Sequence, residues 1–326
     1  MKVTFLIGNG FDLRQGLKTA YKDFIKYYIK TSKKDNNAIK NLKENIKRES
    51  LLWSDFELLL GEITKYYSMK EKDDFMKGMR DMRHKMSAYL RKQSKKFKFK
   101  TSKYRKELKY SLKNLFCNEG YMYPPKEIFP TSAENQYQFI VFNYNTIIFD
   151  IVNKIRVKEM AHNCRKITEN IKAKKNLIHC DTKDGFVLGV NDCSQIINQE
   201  FRNDEDICNL LVKSNQRRIM YREKDVFDYV KDTDIVYVYG MSIGETDKRC
   251  WEQLINWLNI NSKNKLILSY YDKDLTGIDL AEIQHIKDEY INRLLRIGLN
   301  ETTIGQIEVV INPKIFNFAR RTKNRI

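Results

Sequence analysis

The sequence predicts a doubly wound α/β protein with a mainly parallel, Rossmann-like sheet and a large, basic helical insertion. Short apolar runs rich in β-branched and aromatic residues alternate with amphipathic helical stretches, which is typical of parallel sheets covered on both faces. A long charged segment without proline separates the first such unit from the others. The 326 residues are 42% hydrophobic and include only four prolines, so the chain can bury a substantial core.

The first βα unit begins at Lys2–Ile7 (KVTFLI), an apolar run that ends at Gly8-Asn9-Gly10 and predicts a buried strand followed by a turn. A helix is expected next, with Thr19 as its amino-terminal cap and an apolar stripe from Tyr21 to Ile29. A later helix is predicted over Asp247–Leu258. Further strands are predicted over Gln138–Phe142, Asn176–His179, Gly185–Val190, Asp234–Tyr239, Lys265–Tyr271 and Gln306–Ile311.

The insertion is expected to span residues 31–130 within a single α/β domain, 1–326. Its sequence is charged and favours helix, most clearly from residue 31 to residue 113. Ser54 and Glu57 have the spacing of a capping box, which predicts a helix start after Trp53. Three prolines, Pro124, Pro125 and Pro130, mark its end.

Basic residues are concentrated within the insertion. The chain carries a net charge of +18, and the segment 84–113 holds twelve Lys or Arg against one acid, Glu107. Phe97, Phe99, Tyr104 and Tyr110 lie between these charges, a pattern found in some proteins that bind single-stranded nucleic acid. The segment predicts either a surface for nucleic acid or an acidic partner, or an ordinary solvated face.

Several classes of protein are disfavoured by the sequence. The apolar start is too short for a secretory signal, and no apolar run approaches the ~20 residues of a membrane span, so a cytoplasmic protein is expected. The six cysteines form no CxxC pair, which predicts reduced thiols and no metal site. Homo-oligomerisation is left open.

Ligands of parallel α/β sheets bind beyond the carboxyl ends of the strands. This rule selects four segments: Gly8–Asp12, Asn143–Asn145, His179 and Gly240–Gly244. We expect their loops to converge on one crevice, with Ser242 in the last of them. Glu57 and Asp247 are interpreted as helix-start residues with structural roles.

Each candidate residue has more than one interpretation. The sequence GNGFDL lacks the third glycine of a dinucleotide fingerprint, yet Gly8 and Gly10 would let backbone amides approach a phosphate. Asp12 either accepts hydrogen bonds from ribose hydroxyls or caps the following helix. His179 is either a proton acceptor or a structural histidine. Asn143 either orients a carbonyl, amide or water, or simply forms a turn.

Five blocks follow one another along the chain: LIGNGFDLRQGLKTAYKDF, WSDFE, FNYN, LIHCDTKDGFVLGVND and VYGMSIGETDKRCW. Taken together and in this order, they resemble the signature blocks of AbiH-type phage abortive-infection proteins. That family is in turn distantly similar to the sirtuin-like NAD-binding fold.

The sirtuin-like resemblance implies that NAD is bound. It assigns the phosphate loop to Gly8 and Gly10, with Asn9 and Asp12 in the same loop. It places Asn143 at the nicotinamide riboside end and His179 at the ribose. A second nucleotide-binding loop is assigned to Gly240 and Ser242.

Two positions depart from the sirtuin-like pattern. Cys180 replaces the usual glycine after the histidine, and Asn145 stands where an aspartate is common. Both departures favour nucleotide binding without catalysis. The leading hypothesis, which follows from the resemblance as a whole, is an abortive-infection effector that binds NAD and hydrolyses its nicotinamide-ribosyl bond through Asn143 and His179, with Asn145 among the cofactor-binding residues. The alternatives are a nucleic-acid-binding protein or nuclease that uses the basic insertion, and a nucleotide-binding regulator without catalysis.

Overall fold

The fold is given by a computed structural model. It describes residues 1–31, 36–97, 101–113, 115, 134–145, 147–155, 159–162, 165–177, 187–219, 226–272, 274–275 and 280–318.

The centre of the protein is a mainly parallel sheet, as predicted. Across the sheet the described strands follow the order β3-β4-β2-β1-β5-β6-β7, and only the edge pair β3/β4 is antiparallel. The strands β2-β1-β5-β6-β7 form an all-parallel, Rossmann-like group. The strands are β1 Lys2–Ile7, β2 Glu134–Val141, β3 Glu159–His162, β4 Arg165–Leu177, β5 Ile235–Tyr239, β6 Lys265–Tyr270 and β7 Ile307–Ile311.

Helices connect the strands and build the insertion. Those before β2 are α1 Gly10–Arg14, α2 Tyr21–Lys30, α3 Asn37–Arg48, α4 Phe56–Glu62, α5 Lys72–Ser94 and α6 Thr101–Lys113. Those after β2 are α7 Ile147–Ile155, α8 Gln199–Arg202, α9 Glu205–Leu211, α10 Lys213–Ile219, α11 Val226–Val230, α12 Lys248–Ile260 and α13 Leu280–Ile297.

Both faces of the sheet are covered. Side chains alternate along β1, so that Phe5 joins a cluster with α6 and α7 on one face, whereas Leu6 joins a cluster with α11, α12 and α13 on the other. The predicted helix over Asp247–Leu258 corresponds to α12, which buries Trp251 and Leu254 against the sheet. Near-continuous burial of β1 and β5 follows from this doubly wound arrangement.

The described residues of 31–113 are mostly helical, as predicted, but the helices belong to two different layers. Helices α3 to α5, together with α2 from outside this segment, surround a separate apolar cluster that contains no residue of the described strands. Helix α6 instead packs on the sheet through Leu108 and Leu112, so it is part of the α/β core. Its Tyr104 is buried beside Phe318, which removes this ring from any base-stacking surface. Glu107 is also buried and accepts a hydrogen bond from the Asn317 amide at 2.9 Å.

Two predicted elements are wrong. The described part of the predicted strand Gly185–Val190 makes only an isolated bridge, between Val190 and Val212, because its apolar side chains pack against the insertion helices. Thr19 does not cap α2, which begins after Ala20. Its hydroxyl donates instead to Asn9 Oδ1 at 2.7 Å. The predicted strand Asn176–His179 overlaps the last two residues of β4, Asn176 and Leu177, and His179 lies outside the described residues.

Within the part of the chain that the structure describes, no helix combines the length and apolarity needed to cross a bilayer.

Candidate active site at the carboxyl ends of the parallel strands

The loops after β1 and β5 are in direct backbone contact. The Gly8 amide donates to Tyr239 O at 2.8 Å, and the Gly10 amide donates to Gly240 O at 2.7 Å. A Cβ atom on Gly8 would lie 2.4 Å from Gly240 O, and one on Gly10 would lie 2.6 Å from Gly240 Cα. The two glycine amides are therefore used within the protein, and glycine is required here because the loops pack so closely.

This contact marks the point at which the sheet order reverses. The chain runs from β1 to β2 on one side and later returns to β5 on the other side of β1. Such a switch point leaves a crevice outside the carboxyl ends of the strands, where α/β proteins bind ligands. The close approach of Gly10 and Gly240 therefore fixes one wall of the crevice.

Gly240→Ala is expected to destabilise the fold by about 2 kcal/mol or more, because its φ of +68° is unfavourable for alanine and the new Cβ would lie 2.6 Å from the Phe11 amide nitrogen. Urea unfolding measures the change. Gly305→Ala is the matched control, since a Cβ at Gly305 meets nothing within 4 Å. A loss no larger than that of the control would show that the two loops separate easily.

A cavity of about 340 Å³ opens beside this contact, at the lower end of the ~300–1,000 Å³ typical of small-molecule sites. It unites three of the four segments selected from the sequence with the WSDFE segment at the start of α4. Gly10 is in the same loop but does not line the cavity. The lining residues are Gly8, Asn9, Asp12, Thr19, Tyr21, Ser54, Asp55, Glu57, Leu90, Phe142, Asn143, Tyr144, Asn145, Gly240, Met241, Ser242, Gly244 and Asp247.

Asp12 is a buried carboxyl group at the base of this site. Asp12 is 1% exposed, and its Oδ2 atom accepts a short hydrogen bond from Asn145 Nδ2. Its Oδ1 atom has no hydrogen-bond partner among the described residues. Burial raises the pKa of Asp12 from 3.8 to about 7, although the amides of Asn145 and Asn143 oppose the shift. Asp12 is not the cap of α1, because the cap position is occupied by Asn9.

The two asparagines after β2 have different surroundings. Asn145 Oδ1 accepts a hydrogen bond from the Ile147 amide at 3.3 Å at the start of α7, which leaves Nδ2 for Asp12. Asn143 is also buried, and its Oδ1 atom has no partner among the described residues. Asn145 is therefore a positioning residue for the carboxylate, whereas Asn143 offers an uncommitted acceptor to a ligand.

Glu57 and Asp247 meet across the cavity wall through a buried lysine. Lys213 Nζ lies 2.6 Å from Glu57 Oε2 and 3.0 Å from Asp247 Oδ1. Burial alone lowers the pKa of Lys213, but the carboxylates of Asp247 and Glu57 outweigh it and raise the pKa above 10.5. The predicted capping box of Ser54 and Glu57 is wrong, because α4 begins after Asp55 and Glu57 is drawn to Lys213.

Two tyrosines connect this wall to the asparagine segment. Tyr144 Oη lies 3.2 Å from Glu57 Oε1 and 3.1 Å from Val187 O, and Tyr21 Oη lies 3.4 Å from Tyr144 Oη. Burial and the charge of Glu57 raise the pKa of both hydroxyls well above 10. Both tyrosines are therefore neutral at physiological pH, and the hydroxyl hydrogen of Tyr144 is used within this wall.

The remaining predicted residues lie at the rim or outside the described structure. The Asn9 side chain donates to Thr19 O at 3.0 Å as well as accepting from the Thr19 hydroxyl, so it holds the loop in place. Ser242 is exposed at the cavity edge, and its carbonyl accepts from Trp251 Nε1 at 3.2 Å. His179 and Cys180 lie outside the described residues. No group of three or more His, Cys, Asp or Glu suited to a metal ion occurs among the described residues.

Lys213 is the main site residue that the sequence analysis missed. It stands alone in LLVKSNQ and belongs to no recognised motif, so the only available signal is a single lysine in a largely apolar stretch. Asp55 was also missed, although it belongs to WSDFE; burial raises its pKa above 3.8.

A comparison with known protein families identifies the family to which the residues of the cavity belong. The family model for bacteriophage abortive infection AbiH matches residues 4–270, which include every residue lining the cavity. The chain belongs to the AbiH family. It is thus an abortive-infection protein of anti-phage defence. No match was found among curated proteins. In this AbiH protein the matched region ends with β6, so α13 and β7, the edge strand of the sheet, lie beyond the family model.

Proposed function

We propose that the cavity of this AbiH protein binds NAD and hydrolyses the bond between nicotinamide and ribose. The proposal depends chiefly on Asp12, a buried carboxyl group with an uncommitted Oδ1 atom at the base of the cavity. Its pKa of about 7 lets it exist in either protonation state near neutral pH. The distant similarity to sirtuin-like proteins is what nominates NAD as the ligand.

When the nicotinamide-ribosyl bond breaks, its electron pair leaves with nicotinamide and positive charge develops on the ribose. A water molecule then adds to the ribose carbon and gives up a proton, which an ionised Asp12 would accept. An ionised Asp12 would stabilise that charge and accept a hydrogen bond from a ribose hydroxyl or from the water. The hydrogen bond from Asn145 fixes the carboxylate, so little reorganisation is needed during the reaction.

Asn143 supplies the second uncommitted acceptor. Its Oδ1 atom can accept from the carboxamide of nicotinamide or from the attacking water, because no described group already donates to it. Two unsatisfied buried oxygen atoms in one cavity are unusual in a folded protein and support a role in ligand binding.

Purified protein incubated with NAD is expected to release nicotinamide and ADP-ribose, which chromatography resolves. Asn143→Ala and His179→Ala should each lower kcat by roughly 10²- to 10⁴-fold, the usual effect of losing a positioned acid-base or orienting group. Asp150→Asn, an exposed change on α7, is the control and should retain full activity. Circular dichroism checks that each variant remains folded.

The same assay distinguishes NAD hydrolysis from the alternative in which the protein is a nucleotide-binding regulator without catalysis. A wild-type protein that binds NAD but releases no nicotinamide would overturn hydrolysis and leave a nucleotide sensor. If His179→Ala keeps full activity in a wild type that cleaves NAD, His179 has no part in the reaction.

A further inference from the structure

The described lining of the cavity offers carboxylates to a ligand and contains no basic side chain. Four acidic residues line it, namely Asp12, Asp55, Glu57 and Asp247, and none of the described lining residues is Lys or Arg. Lys213 lies behind this wall. Its side chain is only 4% exposed, its ammonium group contacts the carboxylates of Glu57 and Asp247, and it is not among the residues that line the cavity. A phosphate group placed against this lining would be repelled, whereas a cation would be attracted.

The uncommitted groups point to the same kind of ligand. Asp12 Oδ1 and Asn143 Oδ1 are both acceptors, and both belong to residues that are at most 3% exposed. They require donors from the ligand, which hydroxyl and carboxamide groups provide. The Gly8 and Gly10 amides, which would otherwise attract a phosphate, are already bonded to Tyr239 and Gly240.

We infer that this site recognises the positively charged N-ribosyl pyridinium end of its substrate, and that the phosphates of a dinucleotide contribute little to binding at this cavity. The inference rests on the proposed function, because it specifies which part of NAD enters. It assigns the substrate class as cationic pyridinium ribosides, with or without phosphate, and it predicts discrimination against the neutral dihydropyridine form.

Calorimetry with two matched probes tests this directly. Carbocyclic nicotinamide riboside carries the pyridinium charge but has a methylene group in place of the ring oxygen, so it is not cleaved. Its reduced form has nearly the same shape and no charge. The oxidised probe should bind at least ~10-fold more tightly than the reduced probe at low ionic strength, and the ratio should fall in high salt.

Asp55→Asn provides a charge-neutralising variant that should preserve the fold, because asparagine is as good as aspartate at the start of a helix. It should lower the oxidised-to-reduced preference several-fold, while Asp228→Asn, an exposed change on α11, should leave it unchanged. The comparison of the two probes on wild-type protein does not depend on any variant folding.

Equal affinity for the two probes would overturn the inference, as would a protein that binds NAD but neither riboside. Preference for the oxidised riboside in a protein that does not hydrolyse NAD would support the inference and overturn the proposed hydrolysis. Cleavage of NAD together with equal affinity for the probes would support the proposed hydrolysis and overturn the inference.

Discussion

Asp12→Asn is expected to slow the proposed NAD cleavage strongly and, at the same time, to make the protein more stable at pH 8. The variant removes the negative charge but keeps the size of the side chain, so activity should fall roughly 10²- to 10⁴-fold. Stability should rise because Asp12 is buried and an ionised carboxylate there is unfavourable. The opposite signs of the two changes distinguish a strained functional group from an ordinary core residue.

The pH dependence of unfolding follows from the raised pKa of Asp12. Below pH 3.8 the carboxyl group is protonated in both the folded and the unfolded protein, so it has no effect on stability. As pH rises from 3.8 towards about 7, only the unfolded chain releases the proton, and the free energy of unfolding decreases. Above about pH 7 the loss is complete, and it amounts to about 4 kcal/mol for a pKa raised from 3.8 to about 7.

Thermal unfolding of wild type and Asp12→Asn from pH 5 to pH 8 measures this effect. The Tm difference in favour of the variant should grow as pH rises and should level off above about pH 7. In the wild type, kcat/KM should rise with pH up to about 7, as the carboxylate forms. Asp150→Asn is again the control. A variant that is less stable than wild type at pH 8 would mean that the carboxylate stabilises the fold.

Most of the parallel sheet was predictable because buried parallel strands are short and nearly continuous in apolar residues. The predicted Lys2–Ile7 agrees with β1 residue for residue, and Asp234–Tyr239 differs from β5 by one residue. The same signal failed at Gly185–Val190. An apolar run indicates burial but does not identify the surface that buries it, and here that surface is the insertion.

The candidate site was predictable to the extent that it lies at strand ends. Asp12, Asn143 and Gly240 each follow a strand, and the topology brings them together. The roles of individual side chains were harder to predict because they depend on partners elsewhere in the chain. Asp12 is not the helix cap because Asn9 holds that position, and its carboxylate is fixed by Asn145, which follows a different strand.

Glu57 and Asp247 show most clearly what local sequence cannot predict. Each lies near the start of a helix, where an acidic residue has a sufficient local explanation in the helix dipole. Their position at the cavity depends on Lys213, which comes from a third helix and is recognisable only in three dimensions. The surface of the basic segment 84–113 could not be predicted from local sequence either, because Tyr104 and Glu107 are buried by the distant segment 313–318 and by the sheet.

Lys213→Met is expected to destabilise the protein by about 3–5 kcal/mol, the usual cost of removing one partner from a buried ion pair. Methionine approximates the volume of the lysine stem, so the loss reflects mainly the carboxylates of Glu57 and Asp247 that lose their ammonium partner. Their pKa values should rise in the variant, and the stability gap to wild type should therefore narrow as pH falls from 7 to 5.

Lys72→Met is the matched control for this change. Lys72 also bridges two carboxylates, Asp204 and Asp206, each at 2.7 Å, but its side chain is 21% exposed, whereas that of Lys213 is 4% exposed. Exposed ion pairs contribute about 0–1 kcal/mol, so the control should lose little stability. Urea unfolding of both variants at pH 7 and pH 5 makes the comparison. Similar small losses would mean that solvent reaches the Lys213 cluster, and the acidic wall of the cavity would then not depend on a buried lysine.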